Sequence, residues 1–379
     1  MSETQKHTKP NVPNLRFPGF SGEWECCKLS TYLYENKERN RAGEFNKSDV
    51  LSVSGDCGVV NQIQLLGRSF AGKSVADYHI VRTGNIVYTK SPLKEYPYGI
   101  VKYNSGKDGI VSTLYAVYHH RENVNGRFVE HYFTSPQRTN RYFKPIVRIG
   151  AKHDMKIGNN EVLENTVLFP CLEEQNRITE LLDLIDQRIA IQNKVIEKYE
   201  SLIKALAYEN IGKHTTNKTL SECVRCSSST IKESDLLDGG TVPTYGASGI
   251  SGYMDNALSE NDSILITKDG SGVGYLRYVR GPHSFVGTLN SMTPNEGVYL
   301  PYIYYALQNV CFESYRTGQA IPHIYFKDYG KEAIYCPSFD EQKRLAKGLK
   351  MIDSKVEIER AVLQYLHSAK AYLLSAMFI

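Results

Sequence analysis

No stretch of this sequence is apolar for long enough to cross a bilayer. The most apolar segment, GVYLPYIYYALQNVCF (Gly297–Phe312), is short and interrupted by Pro, Gln and Asn, whereas a spanning helix needs about 20 apolar residues. The opening, MSETQKHTKPNVPN, is polar and lacks the apolar core of a secretory signal, so a cytoplasmic protein is expected. The eight cysteines are scattered, and only Cys223-Val-Arg-Cys226 has ligand-like spacing. No second CxxC and no HxxxH answers it, so no metal site is expected and the cysteines read as free thiols. Catalytic motifs are missing too. The chain has no H-E-x-x-H, no G-x-S-x-G and no paired-carboxylate-and-lysine nuclease set. Pro-Pro never occurs, which removes the PPY-type tetrapeptide usual in adenine methyl transfer. The sequence reads as a binder, not an enzyme.

What is present is ordinary in bulk. The 379 residues are 41% apolar and 23% charged, typical of a soluble globular protein with room for two or three domains. Net charge is +4. The positive excess lies in residues 1–170, while 171–210 and 211–336 are slightly acidic and 337–379 slightly basic. Bulk charge alone therefore does not define a nucleic-acid binder.

The chain repeats itself. PCLEEQNRITELLDLIDQRI from Pro170 returns as PSFDEQKRLAKGLKMIDSKV from Pro337, and the alignment runs without a gap for about forty residues. Pro170/Pro337, Glu174/Glu341, Gln175/Gln342, Arg177/Arg344, Leu182/Leu349, Ile185/Ile352 and Asp186/Asp353 are identical. Fainter echoes precede each copy in the same order. GNIVYTKS (84–91) resembles DSILITKDG (262–270), IVSTLY (110–115) resembles FVGTLN (285–290), and RIG (148–150) matches RTG (316–318). The order is thus globular block (1–170), helix (171–210), globular block (211–336), helix (337–379).

Apolar residues in both helices recur at alternating steps of three and four, the pattern of a coiled-coil seam. In the first they are Ile178, Leu182, Ile185 and Ile189, continuing past a polar Gln192 to Ile196, Tyr199 and Ile203. In the second they are Leu345, Leu349, Ile352 and Val356. A parallel stripe in the second, Met351, Ile358, Val362, Tyr365, Ala369 and Tyr372, predicts burial on a further face. The simplest arrangement packs the two helices antiparallel with approximate two-fold symmetry. Short β-branched runs bounded by Gly, Asp and Asn make each block a mixed, strand-rich unit, so the fold class is α+β with an internal duplication.

One motif points elsewhere. GRSFAGKS (Gly67–Ser74) satisfies the phosphate-loop pattern, and a P-loop enzyme centred on Lys73 is one alternative. The segment after it has poor helical periodicity, Phe70 is bulky for a loop that hugs phosphate, and the second block lacks the lysine. GSGVG (270–274) lacks the third glycine of a dinucleotide fingerprint and reads as a turn. A coiled-coil scaffold for protein partners is the other alternative.

In order and wording the segments resemble the DNA-specificity (S) subunit of type I restriction–modification enzymes. The resemblance lies in PNLRFPGFSGEWECCKL (13–29), LENTVLFPCLEEQNRI (163–178) and FKDYGKEAIYCPSFDEQKRL (326–345), and it covers essentially the whole chain. It implies two target recognition domains, each reading half of a split sequence in double-stranded DNA. The helices would set the unread spacer and bind two methyltransferase subunits, with restriction/translocase subunits completing the complex. S-adenosylmethionine, ATP and Mg²⁺ would then belong to the partners, leaving this chain without a cofactor. The second half departs from the pattern, because it lacks the LRFPGF…W opening and begins tersely at HTTNKTLSECV (214–224). DNA-facing candidates lie where polar residues recur in both halves. These are Lys90 and Ser91 with Lys268 and Ser271, Arg148 and Lys152 with Arg316 and Gln319, and His153 and His323.

Overall fold

The computed structural model describes residues 11–149, 155–237, 239–318 and 321–379. The chain packs as two units, one of Met1–Ala190 with Gln364–Ile379 and one of Ile191–Leu363.

The strands of the first unit are β1 (Glu25–Lys28), β2 (Leu33–Glu35), β3 (Leu51–Ser54), β4 (Gly58–Asn61), β5 (His79–Val81), β6 (Ile86–Thr89), β7 (Val101–Tyr103), β8 (Gly109–Val111), β9 (Tyr115–His120), β10 (Arg148–Ile149), β11 (Met155–Lys156) and β12 (Thr166–Phe169). Its helices are α1 (Gln62–Leu66), α2 (Gly126–Phe133), α3 (Pro136–Phe143) and the first half of α4 (Leu172–Ala207). An antiparallel sheet runs in the order β2-β9-β6-β7. All four residues of β6 are buried, because the strand is covered on both faces, which favours a continuous apolar run over alternation. On one face Tyr88 stacks on Phe143 at 4.5 Å; on the other Val87 packs with Val81, Val111 and Val117. The second layer joins the β3–β4 and β5–β8 ladders through a parallel bridge between Val50 and Ile110.

The second unit contains β13 (Lys218–Thr219), β14 (Val224–Ser228), β15 (Val242–Gly246), β16 (Gly249–Met254), β17 (Ser263–Thr267), β18 (Leu276–Val279), β19 (Ser284–Phe285), β20 (Leu289–Pro294) and β21 (Ala333–Ile334). Its helices are α5 (Leu220–Cys223), α6 (Leu300–Ala306), α7 (Phe326–Tyr329) and most of α8 (Phe339–Ala376). The sheet order is β14-β20-β17-β18, all antiparallel, and β15 pairs parallel with β19. That is the first unit's plan written again. The register corrects one sequence alignment. Ile86 faces Tyr118 as Ile264 faces Met292, and the amides of Tyr115 and Leu289 close the same turn onto Ser112 and Val286. Tyr115 therefore corresponds to Leu289, not Asn290, and Asn290 falls where the first unit has the buried Ala116. A one-residue slip exchanges the two faces of a strand, so this shift decides what lies inside.

Each long helix is held at its start by the repeated glutamine. Gln175 Nε2 donates to the Pro170 carbonyl at 2.9 Å, and its Oε1 accepts from the amide of Asn125, the N-cap of α2, at 3.0 Å. In the second unit Gln342 does the same, with Pro337 and with Tyr299, the N-cap of α6, both at 2.8 Å. Acidic residues fill both first turns, Glu173 and Glu174 in α4, Asp340 and Glu341 in α8, where the helix dipole favours negative charge.

The two helices run antiparallel within each unit. In the first, Asp186 meets Lys370, while Ile178 and Leu182 share a core with Leu374, Met377 and Phe378; Ile185 and Ile189 are half-buried. Arg138 completes that core, donating to the Leu374 carbonyl at 2.7 Å with its guanidinium 4.6 Å above the Phe378 ring. In the second unit Ile196 and Ile203 pack with Leu349 and Val356, flanked by half-buried Leu345 and Ile352. The expected second buried face of α8 is not buried. Met351 is 66% exposed, Tyr365 73% and Tyr372 65%, and Ile358 and Val362 are also in solvent. No helix among the described residues is long and apolar enough to cross a membrane.

Candidate nucleic-acid interface

The phosphate-loop pattern does not fold as one. Its first glycine, Gly67, is the left-handed cap that ends the five-residue α1 (φ 73°), so no buried strand leads into the loop. Beyond Ser74 the chain turns into β5 without forming a helix. A P-loop needs a strand before and a helix after to aim its amides at phosphate. Phe70 is 57% exposed beneath Arg68, and Lys73 lies in solvent. The enzyme alternative loses its geometry.

The paired DNA-facing candidates separate sharply. In the second unit Lys268 and His323 line one cleft of about 340 Å³ with Ser228, Asp269, Asn290 and Tyr325. His323 Nδ1 is 2.7 Å from Asp269 Oδ1, and the Tyr325 ring, half exposed, lies nearly parallel to the imidazole. On the floor, Ser228 donates to Asn290 Oδ1 at 2.7 Å, and Asn290 Nδ2 donates to the Tyr329 hydroxyl at 3.1 Å. Burial pushes the Cys226 thiol and the Tyr329 hydroxyl up, keeping both neutral. Ser271 is exposed, and Arg316 is exposed and paired with Glu313 at 2.6 Å.

In the first unit Lys90 is turned inward. Its ammonium donates to the Ile157 carbonyl at 2.9 Å and to Asn159 Oδ1 at 2.7 Å, and burial lowers its pKa. Lys90 and Lys268, equivalent in sequence, thus have different environments. Ser91 and Arg148 are exposed. Lys152, His153 and Gln319 lie outside the described residues. Sequence reasoning passes over Asp269, Asn290 and Tyr325. The Asp269–His323 contact joins residues 54 apart and leaves no local pattern, and Asn290 sits at the end of a misregistered alignment.

The repeated phrase at the helix starts also divides in two. Glu174, 1% exposed, forms a two-point ion pair with Arg16, its oxygens 2.7 Å from Nε and Nη2. Arg16 belongs to the LRFPGF opening that the second half lacks. There the copy, Glu341, is instead paired along its own helix with Arg344 at the surface. His131, Asp183 and Asp186 converge within 4.8 Å, but Arg127 and Lys370 pair with the two carboxylates. All eight cysteines are free thiols.

The class this architecture defines is a duplicated α+β fold, in which each unit contains part of both long helices. Residues 216–367 match the family model for the type I restriction modification DNA specificity domain. Two solved structures share the fold. One is the type I restriction–modification system S subunit from M. genitalium, at 18% identity over 97% of this chain and 99% of that one, with a TM-score of 0.60. The other comes from a structural study of complex assembly and conformational transition in the type I R-M system, at 15% identity, 97% and 99% coverage and a TM-score of 0.50. No curated protein sequence matches the chain. The match to that family takes in most of the second block and of the helix after it, and the chain as a whole has the S-subunit fold. That family is non-catalytic.

Proposed function

We propose that this chain is the specificity subunit of a type I restriction–modification system, a non-catalytic reader of a bipartite DNA target. Residues 1–170 and 211–336 would be its two target recognition domains, and 171–210 and 337–379 the helices that join them. The observation carrying this reading is the repetition of one plan, down to the Gln175 and Gln342 clamps, in a chain with the S-subunit fold. A two-fold reader suits a target in two halves.

The helices point to the partners. Along α8 the uncovered stripe Met351, Ile358, Tyr365 and Tyr372 recurs every seven residues, and α4 exposes Leu184, Ile191 and Leu202. An exposed heptad stripe is a helix-docking face. We assign it to two methyltransferase subunits, with restriction/translocase subunits beyond them. S-adenosylmethionine, ATP and Mg²⁺ act on those partners, and the assembly works on chromosomal DNA in the cytoplasm. The test is co-expression with a cognate methyltransferase subunit and genome-wide mapping of methylated bases. A bipartite motif with a fixed spacer is the required result, and replacing residues 1–170 must change one half of it only. Methylation without such a motif would leave the protein-scaffold alternative.

A further inference from the structure

We infer that the cleft of the second unit reads a G·C base pair through the dipeptide Lys268–Asp269, and that the matching lysine of the first unit, Lys90, reads no base. The inference rests on the DNA-reading function proposed above and adds what this site recognises.

The two units supply an internal comparison. In the first, the place next to the lysine is filled: Asn159 accepts from Lys90, donates to Glu35 Oε1 at 2.7 Å, and is held through its carbonyl by the Tyr118 hydroxyl at 2.8 Å. Register places Cys226 where the first unit has Glu35, and Met292 where it has Tyr118. Both polar anchors of the plug are gone, and the cleft stands open. Among the described residues Lys268 Nζ has no hydrogen-bond or ion-pair partner.

The open dipeptide is rigidly presented. The amides of Lys268 and Asp269 both donate to the Thr288 carbonyl, at 2.9 and 3.3 Å, and the Lys268 carbonyl accepts from Ile324 at 2.9 Å. His323 holds one oxygen of Asp269, orienting the carboxylate and leaving its second oxygen to accept. A cationic donor beside a fixed carboxylate acceptor suits the major-groove edge of G·C. There guanine offers O6 and N7 as acceptors and cytosine N4 offers a donor. A backbone phosphate fits less well, because the Asp269 carboxylate lining the same cleft would repel it.

The experiment uses the full chain co-expressed with its methyltransferase subunit, mapping methylated bases for Lys268→Met, Lys268→Arg, Asp269→Asn and Lys90→Met. The half-motif read by the second unit is the half that survives replacement of residues 1–170. The expected result is that Lys268→Met and Asp269→Asn relax the same single G·C position of that half. Discrimination there should fall about 5- to 150-fold, while Lys268→Arg retains it. Lys90→Met leaves both half-motifs intact and lowers the unfolding midpoint. An unchanged motif in Lys268→Met overturns the inference. So does a uniform loss of methylation with a salt slope reduced by about one, the mark of a phosphate contact. If Lys268→Met fails to fold, Asp269→Asn and Lys268→Arg decide by the same criteria. A wild type that methylates no bipartite motif instead refutes the proposed function itself.

Discussion

Gln192 and Glu359 occupy the same position in the two copies of the repeated helix, and they hydrogen-bond to each other. The amide of Gln192 donates to the Glu359 side chain and, at 3.1 Å, to its main-chain carbonyl. In an antiparallel pair of like helices, only the position at the local two-fold meets its own copy. Here that position is polar, with Gln192 1% exposed. Gln192→Ala leaves the glutamate unpaired in a half-buried site and is expected to destabilise the protein by about 1–3 kcal/mol. The double change to leucine should restore or raise stability while weakening the register, as buried polar pairs serve specificity more than stability. Urea unfolding of the single and double variants checks both statements.

The glutamine clamps should fail separately. Gln175→Ala frees the Asn125 amide and Gln342→Ala the Tyr299 amide, both partly buried, each costing about 1 kcal/mol for the lost hydrogen bond. Hydrogen exchange should accelerate in the unit that holds the changed residue and much less in the other.

Arg16 and Arg344 pair with the two copies of one repeated glutamate, Glu174 and Glu341. Arg16→Ala strands the buried Glu174 carboxylate and is expected to cost about 3 kcal/mol, as for a buried pair losing one partner. Arg344→Ala removes an exposed pair within one helix and should leave the unfolding midpoint unchanged.

Acid should weaken the first unit before it protonates carboxylates. Burial, with Arg39 and Lys90 nearby, lowers the His79 imidazole to about 4. The unfolded chain takes this proton near pH 6.5 and the folded chain does not. Stability is therefore full above about pH 6.5 and declines by up to about 1 kcal/mol per pH unit down to about pH 4. Thermal midpoints measured from about pH 7.5 to 4 should show this slope, and His79→Gln should flatten it.

The exposed stripe of α8 carries a prediction about assembly. Met351→Glu with Tyr365→Glu should leave the unfolding midpoint of the isolated chain unchanged, because both side chains already lie in solvent. Co-purification with the methyltransferase subunit should be lost.

Period and repetition make the helices and the duplication legible in sequence, since amphipathic spacing is a local property and survives without a structure. Three things are not legible. Whether the α8 stripe is covered depends on what surrounds it, and among the described residues nothing covers it. Whether Lys90 and Lys268 share a role depends on Glu35 and Tyr118, far from either lysine in sequence and replaced by Cys226 and Met292. Asn290 is misplaced by sequence alignment because matching Thr-Leu pairs outweigh a one-residue difference in the turn before the strand.

The core that binds Leu374, Met377 and Phe378 to Trp24, Phe128 and Arg138 has a consequence for synthesis. The first block is translated early, yet the residues that finish its interior leave the ribosome only after the whole second unit. At about 5–20 residues per second, it waits some tens of seconds with part of its aromatic core open. A stop codon anywhere in the second unit therefore strands the first, and proteolysis of such nascent fragments is where the dependence would become visible.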